Sequence, residues 1–499
     1  MPYFLKSKKL DFKADGPYVA VLSEPEAKRL GVQNNDDIEI RWGKHRVIAE
    51  ADFTNSKVKK GEIGLFHEIW EDYPLKKGEV VQIKVLSRPA SIKAIIKKLL
   101  GKRLNYEEIY SIIKDIVSRR LGRSEISYFV ASSFARHYND TELYYLTKAM
   151  AETGEQLRFK GKVVDKHSVG GLAGNRTSMM VVPIVASTGL VIPKTSSRAV
   201  TSPAGTADTM EVICPVQHSV KSIKKFIKKN NCCLVWGGGL NIAPSDDRII
   251  RASHPLGIEP YNKMIVSIMA KKVAMGIKYL IIDMPVGPTT KIPNIKLAWD
   301  VERKFVYLGK RFGMKVKVKM TDAREPVGRG VGPALEARDA LRVLQQHPLR
   351  PLDLEKKSII LAGELFELCG KVKKGRGRIR ARQILESGEA WKMMQKIIKA
   401  QGGNPDIKAD DVTLGAIKKR YFIKKNATIK EVLDTSVDDI ARLLGAPDEK
   451  LAGIHIHQRI GSKVKKGDPS FTFYAQSKER MRLAEVALKK MKIFLFKKK

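Results

Sequence analysis

Between Lys166 and Glu211 the chain reads KHSVGGLAGNRTSMMVVPIVASTGLVIPKTSSRAVTSPAGTADTME, and no other stretch restricts the fold as tightly. Two clusters of glycine, serine, threonine and basic residues flank an apolar run, Met179 to Pro193, which has the makings of a buried helix ending near Gly189. Small residues let a ligand approach the backbone, and hydroxyls and amides donate hydrogen bonds to anionic oxygens. Lys166, Arg176 and Arg198 add positive charge. One such cluster is ordinarily a turn. Two of them around one apolar helix point to an anion site.

The surrounding pattern sets the architecture. From Tyr18 to Leu86 short alternating segments are separated by glycine and lysine turns, with one short helix at Pro25 to Leu30, which reads as a small β-rich domain. After Pro89 the period changes to 3.6, and Ile92–Leu99, Tyr106–Leu121, Ser124–Tyr138 and Asp140–Thr153 read as a helical layer with Ser124 and Asp140 as N-caps. Lys162–Asp165 then leads as a strand into the small-residue stretch. Apolar runs (Cys232–Trp236, Tyr279–Met284, Val316–Met320) alternate with helical patterns to about residue 345, the signature of an α/β domain. Past Gly402-Gly403-Asn404-Pro405 the texture returns to β. The expected fold is therefore α/β and multidomain: a β-rich domain over 1–88, a helical domain over 89–160 packed beside a central α/β domain over 161–406, and a C-terminal α+β domain over 407–499.

A formal net charge of +40 makes polyanions an obvious partner class, but the lysines are spread along the chain in short doublets without interleaved aromatics. A solvated lysine-rich surface is the better reading, and a nucleic-acid partner is not expected. No apolar run reaches the roughly 20 residues of a membrane span, and the amino terminus lacks a continuous apolar segment, so the cytoplasm is the expected compartment. Cys214, Cys232, Cys233 and Cys369 form neither a CxxC pair nor a disulfide framework and are read as reduced and buried. His455 and His457 alternate along an apparent strand without further ligands nearby, so no metal site is expected.

The strand running into Lys166-His167-Ser168 and Gly170-Gly171 has the composition of a phosphate loop, yet GxxxxGK[ST] is absent and nucleotide hydrolysis is not indicated. The second cluster, Thr195 to Thr206, repeats the hydroxyl-rich chemistry and ends in Asp208 and Glu211, which share a helical face and suit a capping role or substrate contact. A third group, Arg251, His254, Glu259, Ser267, Lys271 and Lys291, assembles an acid, a hydroxyl and several bases in one region.

These residues carry a resemblance. Ser196-Ser197-Arg198-Ala199-Val200 with Ala204-Gly205-Thr206-Ala207-Asp208 and Glu211 resembles the signature of the thymidine and pyrimidine-nucleoside phosphorylase family, and Asp165-Lys166-His167-Ser168 with Gly170-Gly171 matches its phosphate loop. Ala243-Pro244-Ser245-Asp246, Ser267 with Ala270-Lys271-Lys272, Glu336-Ala337-Arg338 and the turn Gly461 to Pro469 follow in order, so the resemblance covers residues 90–499. The wording KHSVGGLAGNRTS and PKTSSRAVTSPAGTAD is similar to the AMP-cleaving branch, which also carries an N-terminal β-rich extension used in multimer assembly.

The resemblance implies phosphorolysis of AMP, with CMP and UMP as secondary substrates, by inorganic phosphate as co-substrate and without a cofactor. It also implies a homo-oligomer built through the N-terminal domain. It assigns Lys166, Ser168, Ser178, Ser196 and Thr206 to phosphate, with His167 lining the site. It assigns Gly171, Ser197, Arg198, Ala199, Val200, Thr201, Ser202, Thr206, Ser267 and Lys291 to the nucleotide, and Lys271 to a base-contacting position. Glu259 stands where that branch has an aspartate as general acid, which keeps a carboxyl but lengthens its arm by one methylene. Protonating a purine at neutral pH requires that carboxyl to be raised by burial or by negative neighbours. The nearest alternative is a pyrimidine-nucleoside phosphorylase. A basic nucleic-acid-binding protein on the same fold and a phosphoribosyltransferase are further alternatives.

Overall fold

The computed structural model describes residues 3–14, 17–135, 137–199, 202–253 and 261–497. It comprises two compact units, Met1–Glu155 with Ala243–Ala270 and Gln156–Ile242 with Lys271–Lys499.

The first unit opens with a closed six-stranded barrel: β1 (Tyr3–Lys9), β2 (Tyr18–Ser23), β3 (Asp37–Trp42), β4 (His45–Thr54), β5 (Glu62–Leu65) and β6 (Val80–Val85), in the order β1-β5-β2-β4-β3-β6. The core of alternating apolar side chains includes Leu22, Ile38, Ile40, Ile63 and Leu65. Sequence patterning starts the β-rich region at Tyr18 and passes over β1, which closes the barrel by pairing with both β5 and β6. Only Leu5 and Ser7 point inward from β1, and Ser7 hides as a polar residue whose Oγ donates to Lys76 O at 2.8 Å. The barrel is followed by helices Ser91–Leu99, Tyr106–Val117, Arg123–Ala135 and Asp140–Glu152. The N-cap of the last is Asn139 rather than the expected Asp140: its side chain accepts from Glu142 N at 2.8 Å while Glu142 accepts from Asn139 N at 3.1 Å. Glu142 also pairs with buried Lys98 at 2.8 Å, so the reciprocal cap is coupled to the helical core. Ser124, the other expected cap, lies inside the first turn of its helix.

Helix Ser245–Ser253, which sequence order sets among the α/β elements, packs in this first unit: Arg248 Nη1 donates to Ile116 O at 2.8 Å.

The second unit is built on parallel strands. β7 (Val164–Ser168), β8 (Ile192–Ser196), β9 (Cys232–Trp236), β10 (Tyr279–Val286) and β11 (Lys315–Asp322) form a β11-β10-β7 sheet and a β8-β9 pair, joined by the parallel bridge Val163↔Val191. Helix Ser178–Ala186 follows β7 and is buried on every side, as the apolar run requires. Two helices that sequence patterning did not single out, Gly377–Glu386 and Glu389–Ala400, pack against it. The C-terminal segment is α+β, with a three-stranded sheet, a four-stranded sheet whose edge strand is Gly330–Val331, and helices Asp434–Leu443 and Lys478–Leu488. His455 and His457 do share a face, with ring centroids 4.8 Å apart, and burial together with Arg338 drives His455 down to about 2, so it is neutral. All four cysteines are free and buried. Among the described residues no group of His, Cys, Asp and Glu is arranged to hold a metal ion, and no helix is long and apolar enough to cross a membrane.

Candidate active site

The two small-residue clusters sit at the carboxyl ends of β7 and β8, the edge at which open parallel sheets take ligands. β7 delivers Lys166, His167 and Ser168 in register with Ile281, Ile282 and Asp283 of β10. Lys166 is only 1% exposed, and its Nζ lies 3.9 Å from Asp283 Oδ2. Asp283 is itself fully buried. It accepts from Asn175 Nδ2 at 2.9 Å and Thr321 Oγ1 at 2.9 Å, and Lys357 Nζ lies 3.2 Å away. Asn175 also donates to Ser168 Oγ at 3.2 Å, which ties the expected phosphate hydroxyl to this network.

A second buried group lies on the other side of β7. Asp165 accepts from Lys272 Nζ at 2.5 Å and from its neighbour Lys166 N at 2.7 Å, with Lys194 Nζ 3.7 Å away. Four buried lysines thus face two buried aspartates. Burial lowers Lys166 to about 8, opposed by Asp283 and reinforced by Lys357 and Arg176, and it lowers Lys194 to about 7 against the pull of Asp165. His167 is driven well below its ordinary value by burial and by Lys272, Lys194, Lys166 and Lys271. It is neutral, with Nδ1 buried and without a hydrogen-bond partner among the described residues. The surplus positive charge under the strand ends is what a phosphate dianion would neutralise.

Two glycines are required by close approach. Gly171 has φ +77°, and a Cβ there would stand 2.8 Å from Lys291 N, so Lys291 abuts the first loop. Gly174 has φ +68°, and its Cβ would meet Val327 O at 2.0 Å. Ser178 is the first residue of the buried helix after this loop.

The second loop is shaped by carboxylates. Asp208 Oδ2 accepts from Ala199 N at 2.7 Å and Gly205 N at 2.8 Å, and its Oδ1 accepts from Arg198 at 3.2 Å. Glu211 takes the Arg198 guanidinium in a two-bond fork at 2.6 and 2.7 Å and also accepts from Lys450 at 2.6 Å. Arg198, foremost among these partners, holds Glu211 down at about 2. Both carboxylates therefore serve the loop, and the Arg198 side chain is committed to them and to the Trp236 ring 5.2 Å away. Thr206 opens the short helix after Gly205, Ser196 Oγ donates to Val235 O at 3.3 Å, and Ser202 Oγ donates to Ala204 O at 3.0 Å. Arg176 joins the two clusters: it pairs with buried Glu336 and donates to Ala204 O at 2.5 Å.

Val200, Thr201, His254 and Glu259 lie outside the described residues. Ser267 belongs to the first unit, where its Oγ donates to Asp246 Oδ2 at 2.7 Å. Lys271 falls in the second unit. Sequence reasoning missed Lys194, Asp283 and Lys357, although a charge inside an otherwise apolar strand, as in VIPKTS and YLIIDMPV, is a usable signal because such charges persist only when paired.

Comparison with known proteins identifies the family. Residues 160–391 match the glycosyl transferase family a/b domain, and residues 92–154 match that family's helical bundle domain. The crystal structure of anthranilate phosphoribosyltransferase from Thermus thermophilus superposes with a TM-score of 0.51 at 18% identity, over 62% of this chain and 99% of that one, a likeness of fold. The AMP phosphorylase of Pyrococcus furiosus is 42% identical over 488 residues, 97% of this chain and 96% of the relative. The chain belongs to the AMP phosphorylase family. The AMP phosphorylase of Thermofilum pendens, 40% identical over 489 residues, covers 98% of this chain and 94% of its own length. AMP phosphorylase 1 of Archaeoglobus fulgidus is 40% identical over 477 residues, 95% of this chain and 94% of its own. Family membership thus extends over the barrel as well as the catalytic domains, and the a/b match contains both loops together with Asp283 and Lys357.

Proposed function

We infer that this chain cleaves AMP with inorganic phosphate, releasing adenine and ribose 1,5-bisphosphate. The observation that carries the reading is the pair of hydroxyl-rich loops at the ends of adjacent parallel strands, above four buried lysines opposed by two aspartates. A phosphate oxygen attacks the anomeric carbon as the bond to the base nitrogen breaks, so the enzyme must hold the dianion and neutralise charge developing on the base. Lys166, Ser168, Ser178, Ser196 and Thr206 are assigned to phosphate, with neutral His167 beside them. The backbone from Ser197 to Ser202 and Gly171 is assigned to the nucleotide, Ser267 and Lys291 to nucleotide contacts, and Lys271 to the base. Glu259 is proposed as the proton donor to the leaving base. CMP and UMP are proposed as secondary substrates, the barrel as the oligomerisation element, and the cytoplasm as the compartment.

A side-by-side assay of AMP, CMP, uridine and thymidine with phosphate tests the reading. AMP is expected to give adenine fastest. Preference for substrates without a 5′-phosphate would shift the assignment to a nucleoside phosphorylase, and no phosphate-dependent base release from any of them would end it. Asp208→Ala frees the amides of Ala199 and Gly205, and a displaced loop of this kind is expected to lower kcat/KM for AMP about 100-fold. Asp208→Asn keeps one acceptor and should fall between. Wild-type kinetics in Asp208→Ala would remove the loop from the site.

A further inference from the structure

The first unit contains a cavity of about 370 Å³, and of the candidate site residues named above only Arg251 lines it. Among the described residues its rim carries Lys13, Arg119, Arg123, Arg248 and Arg251, and one carboxylate, Glu68. Glu68 is engaged, since its Oε1 accepts from Ala14 N at 2.5 Å. The floor is apolar, formed by Pro17, Leu121, Ile126 and Ala252.

In a chain with a net charge of +40 any depression gathers some cations, so sign alone is weak evidence. Residue type and origin are stronger. Basic residues in this sequence are mostly lysines, whereas four of these five are arginines. They converge from the end of helix Tyr106–Val117, the start of helix Arg123–Ala135 and helix Ser245–Ser253. A guanidinium presents a planar fork that matches phosphate oxygens in pairs, which a lysine does not. Two of the forks are already oriented: Arg119 lies 4.0 Å over the Tyr18 ring and 3.5 Å from Asp72, and Arg248 is anchored on Ile116 O. Groups held this way lose little freedom when a ligand arrives. The volume falls within the range of small-molecule pockets, roughly 300–1,000 Å³, and is too small for a macromolecule.

We propose that this cavity binds a small phosphorylated metabolite, its phosphate held by Arg119 and Arg123 and its carbon skeleton seated on Leu121, Ile126 and Ala252. The site is additional to the phosphate loops of the second unit and does not depend on the reaction assigned to them. A phosphate ester suits it better than free phosphate because the floor removes apolar surface from water only when a carbon skeleton is present.

Calorimetric titration of the full chain tests this, with Lys166→Ala used to suppress phosphate binding at the strand ends. Ribose 5-phosphate should bind saturably, inorganic phosphate more weakly, and ribose not at all. Arg123 is exposed at its helix start, so Arg123→Glu should fold and weaken ribose 5-phosphate by at least about tenfold. Arg119→Lys keeps the charge but loses the fork, and a smaller weakening is expected. Ribose 5-phosphate binding that neither substitution changes would overturn the proposal, as would no binding of that probe. Inorganic phosphate binding as tightly as the ester would also overturn it, since the floor would then contribute nothing.

Discussion

Lys166→Ala is expected to lower kcat/KM for AMP phosphorolysis by about 10²–10³-fold, the usual cost of removing a charged group that holds reacting oxygens in a site closed to water. The ammonium is enclosed, with 1% of the residue exposed, and its nearest carboxylate is shared with Lys357. The same burial sets a pH signature. Burial, more than the opposing Asp283, brings Lys166 to about 8, so in the free enzyme the cation is lost as pH rises through that value. KM for phosphate should therefore climb on the alkaline side. A bound dianion favours the protonated lysine, so the kcat profile should hold to higher pH than the kcat/KM profile. A variant that keeps activity within about tenfold of wild type, with phosphate KM unmoved, would exclude Lys166 from phosphate binding, since loss of a charge-assisted contact costs more than that. So would a kcat/KM profile flat through pH 9.

Which parts of this arrangement were readable beforehand follows from how far apart the interacting groups lie in sequence. Ser168 and Ser196 were legible because small polar residues ending apolar strand runs are a local pattern. The helix Ser178–Ala186 was legible because nothing charged interrupts it. Asp208 and Glu211 were visible as a pair, but their work was not, since the amides of Ala199 and Gly205 turn toward Asp208 only in the folded loop. β1 was obscured because its inward face carries Ser7 where patterning looks for an apolar residue. The cap at Asn139 was displaced by one residue because Asp140 is an equally good cap by type, and only the reciprocal bond to Glu142 decides between them. Lys194, Asp283 and Lys357 are the instructive case. Each is a charge in a buried element, and each acquires meaning from partners on other elements.

Asp283→Ala is expected to be among the most damaging single changes in the second unit. The carboxylate is fully buried and is the counter-ion for both Lys166 and Lys357, so its removal strands two ammonium groups away from water. Breaking a buried pair in this way typically costs about 3–5 kcal/mol, enough to be plain in thermal unfolding. Burial pushes the Asp283 carboxyl up, but Lys357, Lys166 and the hydrogen bonds from Asn175 and Thr321 outweigh it and leave it below the ordinary carboxylate range. A carboxyl lowered on folding adds stability above its unfolded value and loses it as pH falls through its folded one. The gap between wild type and Asp283→Ala should therefore be full at neutral pH and narrow in acid. Asp283→Asn separates charge from shape. It preserves size and an acceptor for Thr321 while removing the charge, so Lys166 loses the foremost attraction that keeps its proton. Its alkaline limb should then move below about 8 and phosphate KM should rise at neutral pH, even though Lys166 itself is untouched. An Asp283→Asn enzyme with the wild-type pH profile would show that Lys166 is held by something other than this carboxylate. The buried lysine cluster would then have to be explained as packing, and the phosphate assignment would rest on the two hydroxyl-rich loops alone.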